Sequence, residues 1–264
     1  MPTDMHHYMR NGRHFDAVPA KLYKAKANRN ARRLAQSEWL IRDKRDGSYI
    51  ATLTKDNLDF FHRSTLPSAR IDAISELLFR NPCRSECLSF DELDSQLGNL
   101  GIRAESYSAD TGLLPVTEPL QLEFASFDRY QRPLWLDYEA ARGWRRMKSA
   151  AANDGIFINA VSGFRSFHHQ MGIFQRKLSR GIELTEILNV NAVPGFSEHH
   201  SGRAIDIGTP EEPPAEESFE HTPAYRWLTE QAGKFGFRMS FPRNNPHGIG
   251  YEPWHWYFKG IGQS

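Results

Sequence analysis

Two short segments constrain this chain more than anything else in it: Ser197-Glu198-His199-His200-Ser201-Gly202-Arg203-Ala204-Ile205-Asp206, and Glu252-Pro253-Trp254-His255 further on. The first has the form S-x-H-x-x-G-x-A-x-D and the second E-x-x-H, and any fold must account for both. A catalytic zinc centre takes three protein ligands, keeps a fourth position open to water, and needs a carboxylate nearby that is not itself a ligand. His199, Asp206 and His255 are the candidate ligands of a single Zn2+ ion. Glu252 is the candidate base, taking the proton of water and passing it to a leaving amine.

Local spacing agrees with this assignment. Arg203 to Ile207 reads as a short strand with Ala204 and Asp206 on one face, so that Asp206 points into a cleft. Gly202 permits a tight turn before that strand, and small Ala204 leaves room beside a metal. Glu252 and His255 differ by an odd number of positions and would face opposite sides of a regular strand; Pro253 is expected to bend the chain between them. Trp254 to Phe258 is aromatic enough for a buried strand. Taken alone, His255 also reads as a packed core histidine, and only the pair of segments favours the metal.

At these residues the chain resembles the zinc D,D- and L,D-carboxypeptidases of bacterial cell-wall metabolism, the VanY-type branch of the D-Ala-D-Ala metallopeptidase family. The resemblance extends to Pro194-Gly195-Phe196-Ser197-Glu198-His199, Trp227-Leu228-Thr229-Glu230, Phe235-Gly236-Phe237 and Gly250-Tyr251-Glu252-Pro253-Trp254-His255. Upstream, Ser162-Gly163-Phe164-Arg165-Ser166 with Gln170 is similar to the family's S-G-Y-R-S-x-x-x-Q segment, with Phe164 in place of the usual Tyr. It implies that Arg165 holds the substrate near the metal, through either the terminal carboxylate or the developing oxyanion, a task suited to a planar guanidinium. The alternative is an exposed surface arginine. Gln170 and Ser197 are weaker candidates for hydrogen bonds to the peptide, and each reads equally as a turn or capping residue.

The function so implied is a zinc-dependent carboxypeptidase that removes a C-terminal D-amino acid, in the first place D-Ala, from peptidoglycan stem peptides in the bacterial cell envelope, periplasm or wall. Whether D,D or L,D bonds are preferred depends on pocket shape. An endopeptidase of the same family, of lysin or secreted effector type, is the enzymatic alternative. A non-catalytic zinc-containing wall-binding module is the alternative from another class.

The resemblance covers residues 119–264, where an α+β domain is expected: a small antiparallel sheet with flanking helices carrying the zinc site. Helical spacing runs from Leu134 through Trp135, Tyr138, Ala141, Trp144 and Met147 toward Ala151, followed by a strand over Ile156 to Val161. A second helix starts near Ser166, and Thr222-Pro223 gives an N-cap and first-turn proline for a third. Strands near 203, 237 and 254 complete the sheet. Thr209 to Glu220, rich in glutamate and proline, reads as a solvated loop or, more sharply, as a lid over the cleft.

Residues 1–118 form a separate, basic and mostly helical region. The whole chain of 264 residues has a formal net charge of +1, yet its first 46 residues hold eleven Lys/Arg against five Asp/Glu. This arm reads as a solvated helical or disordered extension, or as a surface for anionic wall polymer, membrane or nucleic acid; no nucleic-acid motif accompanies it, and no nucleic-acid partner is expected. Ile71, Ile74, Leu77, Leu78 and Phe79 stand at helical spacing. No window approaches the roughly 18 apolar residues of a transmembrane segment, and no apolar h-region follows the early basic residues. No Sec signal is therefore expected in this chain, and action in the envelope would require another export route. Cys83 and Cys87 lie four apart, where a bridge within one helix is geometrically poor, so two ordinary thiols are the simpler reading. His6, His7, His14, His62, His221 and His247 lack partners at ligand spacing, whereas His168 and His169 stand near Arg165.

Overall fold

The structure, a computed structural model, describes residues 7–25, 28–55, 57–61, 67–79 and 88–261. The chain divides into two compact units, Met1–Ser85 with Pro119–Phe124, and Glu86–Glu118 with Ala125–Ser264. The single boundary expected between 118 and 119 is therefore displaced. Leu93, Leu97, Ala104 and Leu113 share a core with Phe167, Val193, Phe196, Phe241 and Ile249, which draws their segment into the second unit.

The first unit begins with β1 (Tyr8–Asn11) and β2 (Phe15–Pro19), followed by α1 (Asn28–Gln36), β3 (Trp39–Asp43), β4 (Tyr49–Leu53), β5 (Leu58–Phe60) and α2 (Ser68–Phe79). Its strands pair antiparallel in the order β5-β4-β3-β2-β1, and residues 121–123 add a further strand beside β1. Ile74, Leu77 and Leu78 of α2 pack with Phe15, Ala17, Trp39, Ile41, Ala51 and Leu53 from the sheet. The helical expectation thus holds for α2 and for α1, which is mostly exposed, whereas β1, β2 and β3 place three stretches of the basic arm in a sheet and not in a solvated extension. The physical reason is internal neutralisation. Asp16 and Arg42 are cross-strand partners, with Arg42 Nη2 2.5 Å from Asp16 Oδ2, and Asp16 is fully buried. Arg10 donates to the carbonyl of Leu78 at the end of α2, and Lys44 Nζ donates to Asn11 Oδ1 at 2.8 Å. Strands whose charges are satisfied inside the sheet lose the clean alternation by which strands are recognised.

In the second unit α3 (Phe90–Leu97) and α4 (Ala104–Thr111) come first, and β6 (Gln121–Phe127) enters it at Ala125. There follow β7 (Pro133–Leu136), α5 (Tyr138–Asn153), β8 (Asn159–Ser162), α6 (Phe167–Leu178), α7 (Leu184–Asn189), β9 (Ala204–Gly208), α8 (Pro223–Gln231), β10 (Phe237–Met239) and β11 (His255–Phe258). Four of these strands form an antiparallel sheet in the order β10-β11-β9-β8. Trp144 and Met147 of α5 and Leu228 of α8 bury against Ile205, Ile207, Phe237, Trp256 and Phe258. The mixed α+β class with antiparallel sheets is as expected.

The first helix starts later than its apolar spacing suggests. Leu134 and Trp135 lie in β7, and Asp137 caps α5 by accepting from the backbone N–H of Glu139 at 3.2 Å. Ser166 and Thr222 cap α6 and α8 as read from sequence, accepting from His169 N at 3.2 Å and Tyr225 N at 3.1 Å. Cys83 and Cys87, like His6 and His62, lie outside the described residues. Among the described residues no helix is long and apolar enough to cross a membrane.

Candidate metal centre

Residues 49 positions apart meet because of strand register. In the antiparallel pair β9–β11, Asp206 stands directly opposite His255, and Asp206 Oδ1 lies 3.2 Å from His255 Nδ1. His199 comes from the 3-10 turn Glu198–Ser201 just before β9, which closes on Gly202 in the left-handed region at φ 68°. Its Nε2 is 3.4 Å from Asp206 Oδ1, and the two imidazole rings are 4.9 Å apart, centroid to centroid. One donor atom from each of the three residues falls within 4.8 Å of the others, and all three residues are buried.

Outer partners fix how each imidazole faces. His199 Nδ1 donates to the carbonyl of Gly163 at 2.7 Å, which leaves the Nε2 lone pair toward Asp206. His255 Nε2 lies 2.9 Å from Glu198 Oε2, so its Nδ1 faces the same point. Gly163 can serve only as glycine: a Cβ there would sit 2.7 Å from Leu134 Cδ1 and 2.9 Å from the Trp135 carbonyl oxygen. Two imidazoles and one carboxylate, aimed inward and oriented from outside, suit zinc or a similar divalent cation. Burial works against the charge on Asp206, but His199 and His255 overcome it and hold its carboxyl well below the usual range. His255 shows the complementary effect: burial opposes its proton, yet hydrogen bonds to Asp206 and Glu198 push it up to about 10. A cation held here takes the place of that proton.

The triad opens into a cleft of about 520 Å³ that Arg165, Gln170, Ser197, Glu198 and Glu252 also line. Arg165 follows β8, its Nη2 3.8 Å from Asp206 Oδ2. Nη1 donates to Gln170 Oε1 at 2.9 Å, while Gln170 Nε2 donates to the Ala192 carbonyl at 2.9 Å. Gln170 therefore has both ends of its amide engaged inside the protein and acts on Arg165. Ser197 precedes the 3-10 turn without capping it through its side chain.

Glu252 sits in the bend expected around Pro253: the backbone N–H of His255 donates to the Glu252 carbonyl at 3.1 Å, and β11 begins only at His255. Its Oε2 is 3.7 Å from His255 Nδ1. Burial, reinforced by Asp206 and Glu198 against the pull of His255 and Arg165, pushes its carboxyl up to about 7. Glu198 is the opposite case. Burial raises it, but the hydrogen bond and charge of His255 win and hold it low. Two carboxylates in one cleft are thus driven apart in basicity.

Sequence reasoning missed Glu198, because its role arises from the turn that swings it toward His255; its place beside His199 was the available signal. His200, in the same 3-10 turn as His199, makes its hydrogen bonds away from the triad. Its Nδ1 donates to the Arg165 carbonyl at 2.5 Å, and its Nε2 accepts from Gly195 N at 3.0 Å. Burial lowers it to about 4, so it is a neutral strut. His168 and His169 are not among the cleft-lining residues. Of the Thr209 to Glu220 loop, Ala215, Glu216 and Glu217 line the cleft, and Arg243 ties the loop down through Glu220 at 2.7 Å.

Residues 133–261 match the family model of VanY, D-alanyl-D-alanine carboxypeptidase. Over these residues the chain is similar to the VanY family. The YodJ protein of Bacillus subtilis is 34% identical over 133 residues, covering 49% of this chain and 48% of YodJ. A D-alanyl-D-alanine carboxypeptidase of Enterococcus faecium is 30% identical over 169 residues, covering 62% of this chain and 49% of its own length. This chain thus spans about half the length of both relatives. Among solved structures, the LdcB LD-carboxypeptidase is 34% identical over a match covering 48% of this chain and 61% of that one, with a TM-score of 0.45.

Proposed function

We propose that the VanY-type domain is a zinc-dependent carboxypeptidase that releases a C-terminal D-amino acid, D-Ala first among them, from peptidoglycan stem peptides in the bacterial envelope. The observation that carries this reading is the convergence of His199, Asp206, His255, Glu252 and Arg165 on one cleft. His199, Asp206 and His255 hold the metal. A zinc ion bound there supplies a Lewis acid that polarises the peptide carbonyl and makes water acidic.

The chain's own groups do the rest. Glu252, half-buried and with a carboxyl tuned near neutrality, accepts a proton from the attacking water and returns it to the departing nitrogen. Water oxygen joins the acyl carbon, the C–N bond breaks, and the amine leaves with the proton. Arg165, held by Gln170, faces the developing negative charge on the carbonyl oxygen. Glu198 keeps His255 oriented and, being already committed to it, leaves the proton transfer to Glu252.

The test is incubation of the zinc-loaded protein with purified pentapeptide and tetrapeptide stems, with and without chelator, followed by mass spectrometry. Loss of one alanine, abolished by chelator, is expected, and the substrate cut reports the bond preference. Cleavage inside a cross-link would favour the endopeptidase, and intact peptides the binding module. Glu252→Ala should lower kcat about 10²- to 10⁴-fold while zinc content is unchanged; unaltered turnover would remove Glu252 from its role.

A further inference from the structure

We propose that Lys177 is the anchor for the free C-terminal carboxylate of the substrate, leaving Arg165 to the oxygen of the bond being cut; this rests on the carboxypeptidase reading above. One stripe of α6 carries Gln170, buried Phe174 and Lys177 at i, i+4 and i+7, and Gln170 and Lys177 both line the cleft. The two cations of the cleft are differently placed. Arg165 is committed to Gln170 and lies 3.8 Å from Asp206, so whatever it holds must be at the triad. A terminal carboxylate belongs one residue beyond the scissile carbonyl, about 3.8 Å further along the peptide. One guanidinium already docked at the triad does not serve both groups well.

Lys177 has the character of the second anchor. Its ammonium makes no hydrogen bond or ion pair within the hydrogen-bonding and salt-bridge network of the described residues, although it stands half-buried in the cleft wall. Burial and the charge of Arg165 both disfavour its proton, and only Glu186 and Glu252 support it through longer-range attraction. An incoming anion would relieve that imbalance. The same cleft is lined by Val190, Asn191 and Ala192, a segment braced where the Gly250 N–H donates to the Asn189 carbonyl at 2.7 Å. A compact ammonium on a flexible stem can meet a carboxylate there without bidentate geometry.

The experiment separates binding from turnover. In a Glu252→Gln background, which holds substrate without cutting it, calorimetry would compare a stem pentapeptide with the same peptide ending in a carboxamide. The free acid should bind roughly ten- to a hundredfold more tightly than the amide, as expected of a charge-assisted hydrogen bond. Lys177→Met should bring the two affinities together, and Lys177→Arg should keep most of the preference. A preference that survives Lys177→Met, an equal loss for both peptides, or no preference in the background protein would overturn the assignment. Failure to bind either peptide would instead sink the carboxypeptidase reading, and the anchor with it.

Discussion

Each unit of this protein buries an aspartate in the middle of a sheet, opposite a cationic partner on the neighbouring strand, and only one of the two makes a candidate active site. In the N-terminal unit Asp16 faces Arg42 across β2 and β3; in the second unit Asp206 faces His255 across β9 and β11. Asp16 finds its counter-charge in a permanent cation and takes part in no cluster of metal-ligating side chains among the described residues. Asp206 meets two imidazoles, whose charge is exchangeable, and looks onto a cleft that also carries Glu198, Glu252 and Arg165. A buried cross-strand charge pair is therefore a structural motif first. It becomes chemistry when its cation can be replaced and when other donors converge on the same point.

The sharpest way to break the comparison is at Asp206. Asp206→Asn should strip the centre of zinc and reduce peptide hydrolysis by on the order of 10³-fold or more, read by metal analysis and turnover together. Retained zinc would mean that the triad is not the ligand set. In the other sheet, Arg42→Met leaves Asp16 buried and alone, and should destabilise the protein by about 3 kcal/mol in urea titration. Replacing both partners, Asp16→Leu with Arg42→Met, should recover most of that loss.

Next in size comes the support of the metal centre. Glu198→Gln should weaken zinc affinity about 10- to 100-fold in competition with a chelating dye, while Glu252→Gln leaves it nearly unchanged. Equal effects would erase the distinction between the two carboxylates. The smallest expected effect concerns acid. Burial would raise Asp43, but hydrogen bonds from Arg45 and Arg70 outweigh it and hold its carboxyl below the usual value. Because the folded state binds that proton less readily than the unfolded chain, the stability Asp43 contributes is full above about pH 4 and is lost as pH falls further. Asp43→Asn should flatten the dependence of the urea midpoint between pH 5 and pH 3; an unchanged slope would show that the aspartate does not drive it.

What could be read from sequence differs between the two units for the same physical reason. Around the metal centre each signal is local: His199 and Asp206 flank a glycine turn, Thr222 and Pro223 open a helix, and Pro253 bends the chain before His255. β2 and β3 gave no such signal, since Asp16 and Arg42 look solvent-seeking until their register is known. Leu134 and Trp135 share helical spacing with α5 but belong to β7, because the cap at Asp137 decides where the helix starts. Glu198 was hidden because its partner lies 57 positions away. The engagement of Gln170 with Arg165 and Ala192 likewise depends on the distant segment before Ser197.

The alignment of Asp206 with His255 also says where this architecture can change. Inserting or deleting one residue within β9 or β11 would turn one of the two side chains to the opposite face and dismantle coordination, whereas the Thr209 to Glu216 loop that follows β9 lies outside both strands and can change in length without shifting their register. That loop carries Ala215 and Glu216, which border the cleft. Descent with altered substrate choice thus has a natural workspace in the connection between two strands whose pairing must stay fixed.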